Sequence, residues 1–415
     1  MADDARSTRS STGSGRSSGQ ALSGVRVLDF TQYIAGPFCT KLMADFGAAV
    51  IKVEPPGSGD VSRGYGPFKD DLPDREASGL YLYCNTNKKS ITLDIETESG
   101  RELARRLAAE SDVVVESFAP GRMTELGLGY DELCQLNPKL ILLSISMFGQ
   151  DGPWRDWKAD EVNLHAISGL MSVTGDPERE PLKNGGHQAL YNTGINAFTA
   201  VTMAIYAQAT RGVGQHVDVS AYETMTFLVE PPKVLQASQQ GTFTARVGNR
   251  TTLLPAADGH VNAIRGGSGV FVEVLAKVTG NDAFVAPRLR AAPLIGPGAA
   301  EANEEIEALL IPWTIEHGKK EFYHAGQSGG QNFGYVASPE DMLNSPQLRD
   351  RGYYVEVDHP VAGTLTYPGA PYKMSATPWQ PGRAPLLGEH DEEVYCERLG
   401  YTRQELVELS RAGVI

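Results

Sequence analysis

Residues 22–54 read LSGVRVLDFTQYIAGPFCTKLMADFGAAVIKVE, and the reading of this stretch decides the fold. Val25, Val27, Leu28 and Phe30 form an apolar run of strand length, Ala49 to Val53 form another, and between them Phe38, Leu42, Met43 and Phe46 recur at helical spacing. A helix crossing between two such strands predicts a parallel sheet with a right-handed connection, whose ligands bind beyond the carboxyl ends of the strands. The first strand runs out at Asp29-Phe30, so Thr31 to Pro37 should line a site. Gly36-Pro37 opens the helix, where a missing proline N–H costs nothing, and the free backbone donors of a helix start suit a phosphate or a carboxylate. The dinucleotide fingerprint GxGxxG is absent, so this turn does not imply NAD.

Downstream, the pattern repeats. The loop PPGSGDVSRGYGPF (residues 55–68) holds Asp60 and Arg63, and LYLYCNTNKKSITLDI (80–95) runs into a strand ending near Asp94. GRELARRLAAE reads as a helix, DVVVESF (112–118) as a buried strand, and LILLSISMFG (140–149) as a parallel strand covered on both faces. Strands alternating with helices over about 130 residues predict a doubly wound α/β sheet, Rossmann-like in type. ALYNTGINAFTAVTMAIYAQAT carries a long helix, and GQHVDVSAYETMTFL follows as strand then helix. Near residues 234–248 the composition turns polar, marking entry into a smaller domain with DGHVNAI as its clearest strand, an RGGSG turn, and the helix VFVEVLAKVTG. The expected organisation is a disordered tail over residues 1–20, a large domain beginning at 21–233, a small α+β domain at 234–335, and a return to the large domain at 336–415, which closes with two amphipathic helices.

Composition narrows the function. A net charge of -14 argues against nucleic-acid binding, which needs a basic face. No apolar run reaches the roughly 18 residues of a membrane span, and the Ser-, Gly- and Arg-rich tail lacks the apolar centre of a secretory signal. The four cysteines, Cys39, Cys84, Cys134 and Cys396, are scattered without metal-ligand spacing and read as reduced thiols. A cytoplasmic enzyme without a metal is the expectation.

GVRVLDFTQYIAGPF, FGAAVIKVEPPGSGD, NTNKKSITLD, DVVVESFAPG, NPKLILLSISMFGQDGPW, ISGLMSVTG, GVGQHVDVS and RAPLLGEH run in this order along the chain, and together they resemble the class III coenzyme A transferases. The resemblance implies a large doubly wound domain made from both ends of the chain, a small inserted domain, and two chains interlocked as a dimer. It also implies CoA or acyl-CoA as substrate, with no permanently bound cofactor. Asn87, Lys88 and Lys89 fall where the family holds the CoA diphosphate and adenosine, and Arg63 could meet a phosphate there or pair with Asp60. Gln32 and Ile34 replace a His and a substrate-contacting Gln of the formyl-CoA transferases; with Tyr33 between them, the mouth suits a bulkier, less polar acid.

One departure dominates. The family's nucleophilic Asp lies four residues before a Gly that opens the long helix; here that Gly is Gly194 and the position is Leu190. No Asp or Glu occurs between Leu182 and Val217, so a shifted register restores none. Leucine cannot bond to an acyl carbon. Three routes remain open. The chain could be a degenerate subunit whose homologous partner supplies the Asp, in a heterodimer or heterotetramer. Another carboxylate could serve, with Asp160, Glu161 and Asp176 nearest. Or proton transfer could run as in the racemases, where Asp160 falls near the racemase His and His165 and His187 lie close in sequence. The first is the leading expectation, with succinyl-CoA as donor and a bulky aromatic acid as acceptor, benzylsuccinate of anaerobic toluene degradation being the family example that fits. His187 and Asn192 are weak candidates for substrate contact, and Asp218 reads as structural.

Overall fold

The computed structural model describes residues 19–175, 179–228, 235, 237–239, 241, 253–263, 269–293 and 298–415. In chain order they form β1 (Arg26–Asp29), α1 (Ala35–Asp45), β2 (Ala49–Glu54), α2 (Gly79–Cys84), β3 (Lys89–Thr92), α3 (Glu98–Ala109), β4 (Val113–Glu116), α4 (Arg122–Glu125), α5 (Tyr130–Leu136), β5 (Ile141–Ser146), α6 (Glu161–Ile167), α7 (Gln188–Arg211), β6 (Gln215–Ser220) and α8 (Ala221–Phe227). There follow β7 (Leu253–Ala256), β8 (Gly259–Ala263), α9 (Val270–Thr279), α10 (Pro287–Ala291), α11 (Ala299–Thr314), α12 (Lys319–Ser328), β9 (Phe333–Tyr335), β10 (Tyr354–His359), β11 (Gly363–Pro368) and α13 (Arg403–Arg411). Contacts divide the chain into two units, one comprising residues 1–174, 182–243 and 353–415, the other 175–181 and 244–352.

The first unit is built on a six-stranded sheet in the order β3-β2-β1-β4-β5-β6, every pair parallel. Parallel strands joined by crossover helices are covered on both faces, which explains why β4 and β5 are buried at every residue. Alternation along β1 sends Leu28 to one face, with Ile51, Leu103, Leu107 and Leu142, and Val27 to the other, with Met43, Val115, Leu143 and Val201. The chain's far end completes the first of these layers: Val414 and Ile415 are buried in it, and the Tyr395 hydroxyl donates to Thr92 O at 2.7 Å. Helices α1 and α7 cross closely at Gly194, where a Cβ would stand 2.7 Å from Ala35 O.

Two local readings change. Residues 79–84 coil into α2 instead of leading straight into the strand, because the Ser78 hydroxyl accepts the Tyr81 N–H at 3.2 Å and caps the turn. YVEVDHPVAGTLTYP, left unassigned above, is the antiparallel hairpin β10–β11.

The second unit is a three-stranded antiparallel sheet, β7-β8-β9, packed with α9, α11 and α12 around Phe271, Leu275, Ile306, Leu310, Phe322 and Phe333. It extends to Gly352 rather than ending at 335, since Lys319 Nζ bridges Asp341 at 2.5 Å and ties the short helix Pro339–Leu343 to α12. The RGGSG turn lies mostly, and the polar crossing near 234–248 largely, outside the described residues.

Candidate active site

In a sheet ordered β3-β2-β1-β4-β5-β6 the winding reverses between β1 and β4, and loops leaving those two strands diverge to leave a crevice. A cavity of about 540 Å³ opens there. Its lips are residues 32–36 after β1 and 117–120 after β4, its third wall is 155–159, and Leu190, Thr193 and Ala221 form part of its lining. The Gln32 N–H donates to Ser117 Oγ at 3.2 Å, joining the two lips. Tyr33 takes φ 72°, a conformation few non-glycine residues adopt, and its N–H is held by Asp60 Oδ1 at 3.1 Å. Ala35 and Gly36, the first turn of α1, line the cavity. Gly36 is required there, because a Cβ would overlap Thr31 at 2.2 Å.

The binding residues singled out from sequence separate. Gln32 and Ile34 line the cavity; Arg63, Asn87, Lys88 and Lys89 do not. Arg63 does not pair with Asp60: its guanidinium, 1% exposed, binds Glu54 at 2.7 and 2.9 Å and Glu76 at 2.7 Å, above the Tyr81 ring. Asp60 instead takes Lys52 at 2.6 Å. The Asn87 amide donates to Asp45 Oδ1 at 2.6 Å and to Gln380 O at 3.0 Å. Lys88, just before β3, and Lys89, its first residue, go to different surroundings. Lys89 is exposed and paired with Glu393, whereas Lys88 is fully buried, donating to Asn85 Oδ1 at 2.8 Å, Pro37 O at 2.9 Å and Asp29 Oδ2 at 3.1 Å. Burial pushes the Lys88 ammonium down to about 8 despite Asp29. Burial would lift Asp29, but Lys88, Lys52 and the Thr31 and Thr40 hydroxyls outweigh it and hold the carboxyl at about 2.

Leu190 is 3% exposed and packs with Ile34, Leu164, Ala189, Ala221 and Met225, so this part of the cavity wall is hydrocarbon. Helix α7 starts at Gln188 without a side-chain cap of its own. Glu161 supplies one from α6: the Ala189 N–H donates to Oε1 at 2.7 Å and the Leu190 N–H to Oε2 at 3.3 Å. Glu161 is 6% exposed, and the His165 ring lies 3.5 Å from its Oε1. Of the sequence's other substitutes, Asp160 is an exposed N-cap whose Oδ1 accepts the Glu161 N–H at 2.7 Å, and Asp176 lies outside the described residues. His187 meets Tyr33 edge-on at 5.8 Å. Asn192 donates back along its own helix to Gln188 O at 2.7 Å, and Asp218 accepts the Gln150 N–H at 2.8 Å, both structural bonds.

Sequence reasoning missed the wall 117–120 and the wall 155–159. The first was recoverable, since placing DVVVESF beside β1 makes its end the opposite lip. The link between Glu161 and Leu190, 29 residues apart, left no local signal. Among the described residues, no three His, Cys, Asp or Glu are arranged to hold a metal, and no helix is long and apolar enough to cross a membrane.

Fold and cavity define a doubly wound α/β protein with a ligand cleft at its switch point. The family is then fixed by comparison: residues 22–391 match the model for CoA-transferase family III, and the chain belongs to that family. It is 32% identical to succinyl-CoA–D-citramalate CoA-transferase of Chloroflexus aurantiacus, covering 95% of this chain and 98% of that one. It is 33% identical to formyl-CoA:oxalate CoA-transferase of Streptomyces avermitilis, covering 95% of this chain and the whole of the relative. The crystal structure of a CAIB/BAIF family protein from Brucella suis superposes with a TM-score of 0.81 at 29% identity, covering 91% of this chain and 99% of that one.

Proposed function

We propose that this chain is one subunit of a heteromeric CoA-transferase, in which a homologous subunit supplies the nucleophilic Asp. The single observation that carries this is the hydrocarbon at Leu190, packed into an apolar cluster on the wall of the cleft. Nucleophilic exchange needs a group that can bond to the acyl carbon. The partner's carboxylate attacks the thioester carbonyl and expels CoA thiolate, leaving a mixed anhydride. The thiolate then attacks the aspartyl carbonyl, releasing the donor acid and leaving an aspartyl-CoA thioester. The acceptor carboxylate repeats the exchange in reverse and departs as its CoA thioester. Succinyl-CoA is the donor, a choice supported by the name of the Chloroflexus relative. The acceptor is a bulky aromatic acid of the benzylsuccinate type, consistent with Tyr33, Ile34 and Leu190 along the cavity. An interlocked assembly of two homologous chains accommodates this division of labour.

One observation favours a second reading, in which the chain is self-sufficient through Glu161, the acid bonded to the Leu190 amide. Against it, both carboxylate oxygens already accept amide protons, which stabilises the anion and blunts it as a nucleophile. Co-purification of the native protein tests the proposal. A second chain of similar length with Asp at the position of Leu190 supports it; full activity in this chain alone, abolished by Glu161→Gln, overturns it.

A further inference from the structure

The wall formed by residues 155–159 carries a feature that neither CoA binding nor the missing nucleophile explains. Trp157 lines the cavity yet is 59% exposed, and its neighbour Trp154 is 38% exposed. The two indoles lie parallel, 5.1 Å apart with 15° between planes. Phe148 meets both edge-on at 6.1 and 6.4 Å, and Tyr222 leans on Trp154 at 5.6 Å. A stack braced from two sides holds one indole in a fixed plane, and leaving so much aromatic surface in water is unfavourable unless something covers it.

What covers it can be read from its surroundings. Tyr222 meets Trp154 and also packs, with Met147 and Ala159 of the cavity lining, against the apolar cluster containing Leu190, so the platform is continuous with the acyl end of the cleft. The surface runs from indole to hydrocarbon, and Lys158 follows Trp157 on the same wall. We infer that Trp157 is the specificity-determining residue for the acyl group, stacking a flat aromatic ring carried by the acid. This rests on the CoA-transferase reading and adds to it the part of the substrate that the chain discriminates. An aliphatic acyl group gains little from such a surface, whereas an aryl group gains offset-stacking contact with one indole face.

The test is calorimetric titration of the purified full chain with CoA, acetyl-CoA and benzoyl-CoA, for the wild type, Trp157→Ala and Trp157→Phe. The wild type should bind benzoyl-CoA more tightly than acetyl-CoA. Trp157→Ala should weaken benzoyl-CoA roughly tenfold, the scale of one stacked ring with its buried area, while CoA and acetyl-CoA stay within about twofold. Trp157→Phe should recover most of the preference, which a lost structural contact would not. Equal losses for all three ligands would mean that the indole stacks on adenine and would overturn the inference, as would an unchanged preference in Trp157→Ala. Failure of the wild type to bind any of the three overturns the CoA reading itself, and the inference with it.

Discussion

Glu116, the last residue of β4, offers the clearest quantitative prediction. It is 3% exposed, its carboxylate accepts the Phe118 N–H at 2.7 Å, and it borders a second cavity of about 180 Å³ that Ser144, His216, Tyr130 and Asp131 also line. Burial lifts its carboxyl from an ordinary 4.5 to about 7; the Ser144 hydroxyl and the Phe118 amide oppose the rise and Asp218 adds to it. The folded protein therefore holds a proton that the unfolded chain has released across this interval. The stabilising contribution is complete below 4.5 and is lost as pH climbs through about 7, by about 3 kcal/mol at about 1.4 kcal/mol per pH interval. Glu116→Gln keeps shape and hydrogen-bonding capacity but cannot ionise. It should match the wild type at about pH 4 and exceed it by about 3 kcal/mol at about pH 8, a melting difference of roughly 3–5 °C for a chain of this length. Calorimetry of both proteins at the two pH values reads this directly. If the two curves stay parallel, Glu116 does not titrate in this interval and the electrostatic description of β4 and its loop is wrong.

Other consequences follow from the same geometry. Leu190→Asp exchanges a packed side chain for a polar one beside the Glu161 carboxylate, and should cost roughly 3–5 kcal/mol by urea denaturation. Glu161→Gln removes the charge that closes α7; hydrogen exchange should show the Ala189 and Leu190 amides opening roughly 5- to 30-fold more readily, for a loss of about 1–2 kcal/mol. Arg63→Met strands Glu54 and should destabilise by roughly 3–5 kcal/mol, whereas Lys89→Ala breaks an exposed pair with Glu393 and should cost less than about 1 kcal/mol while leaving CoA affinity, measured by titration, unchanged.

Much of the scaffold was legible because its signal is local. The strand–helix–strand reading of residues 22–54 returned as β1, α1 and β2, and continuous apolar runs marked β4 and β5 as doubly covered strands. The site was legible only in part, because a side chain's direction depends on partners far along the chain. Lys88 and Lys89 look equivalent in sequence, yet one is drawn inward by Asp29 and the other lies in water beside Glu393. Arg63 reads as a partner for a phosphate or for Asp60 until Glu54 and Glu76 are brought against it. Trp157 carries no periodic signal at all; only closure of the cavity gives its exposure a meaning.

The decisive measurement is intact-mass spectrometry after incubation with succinyl-CoA, performed on this chain alone and on the natively purified complex. No CoA or succinyl adduct should form on this polypeptide under either condition, and a CoA thioester should form on a single Asp of the homologous subunit in the complex. A covalent adduct on any acid of this chain, Glu161 above all, refutes that division of labour.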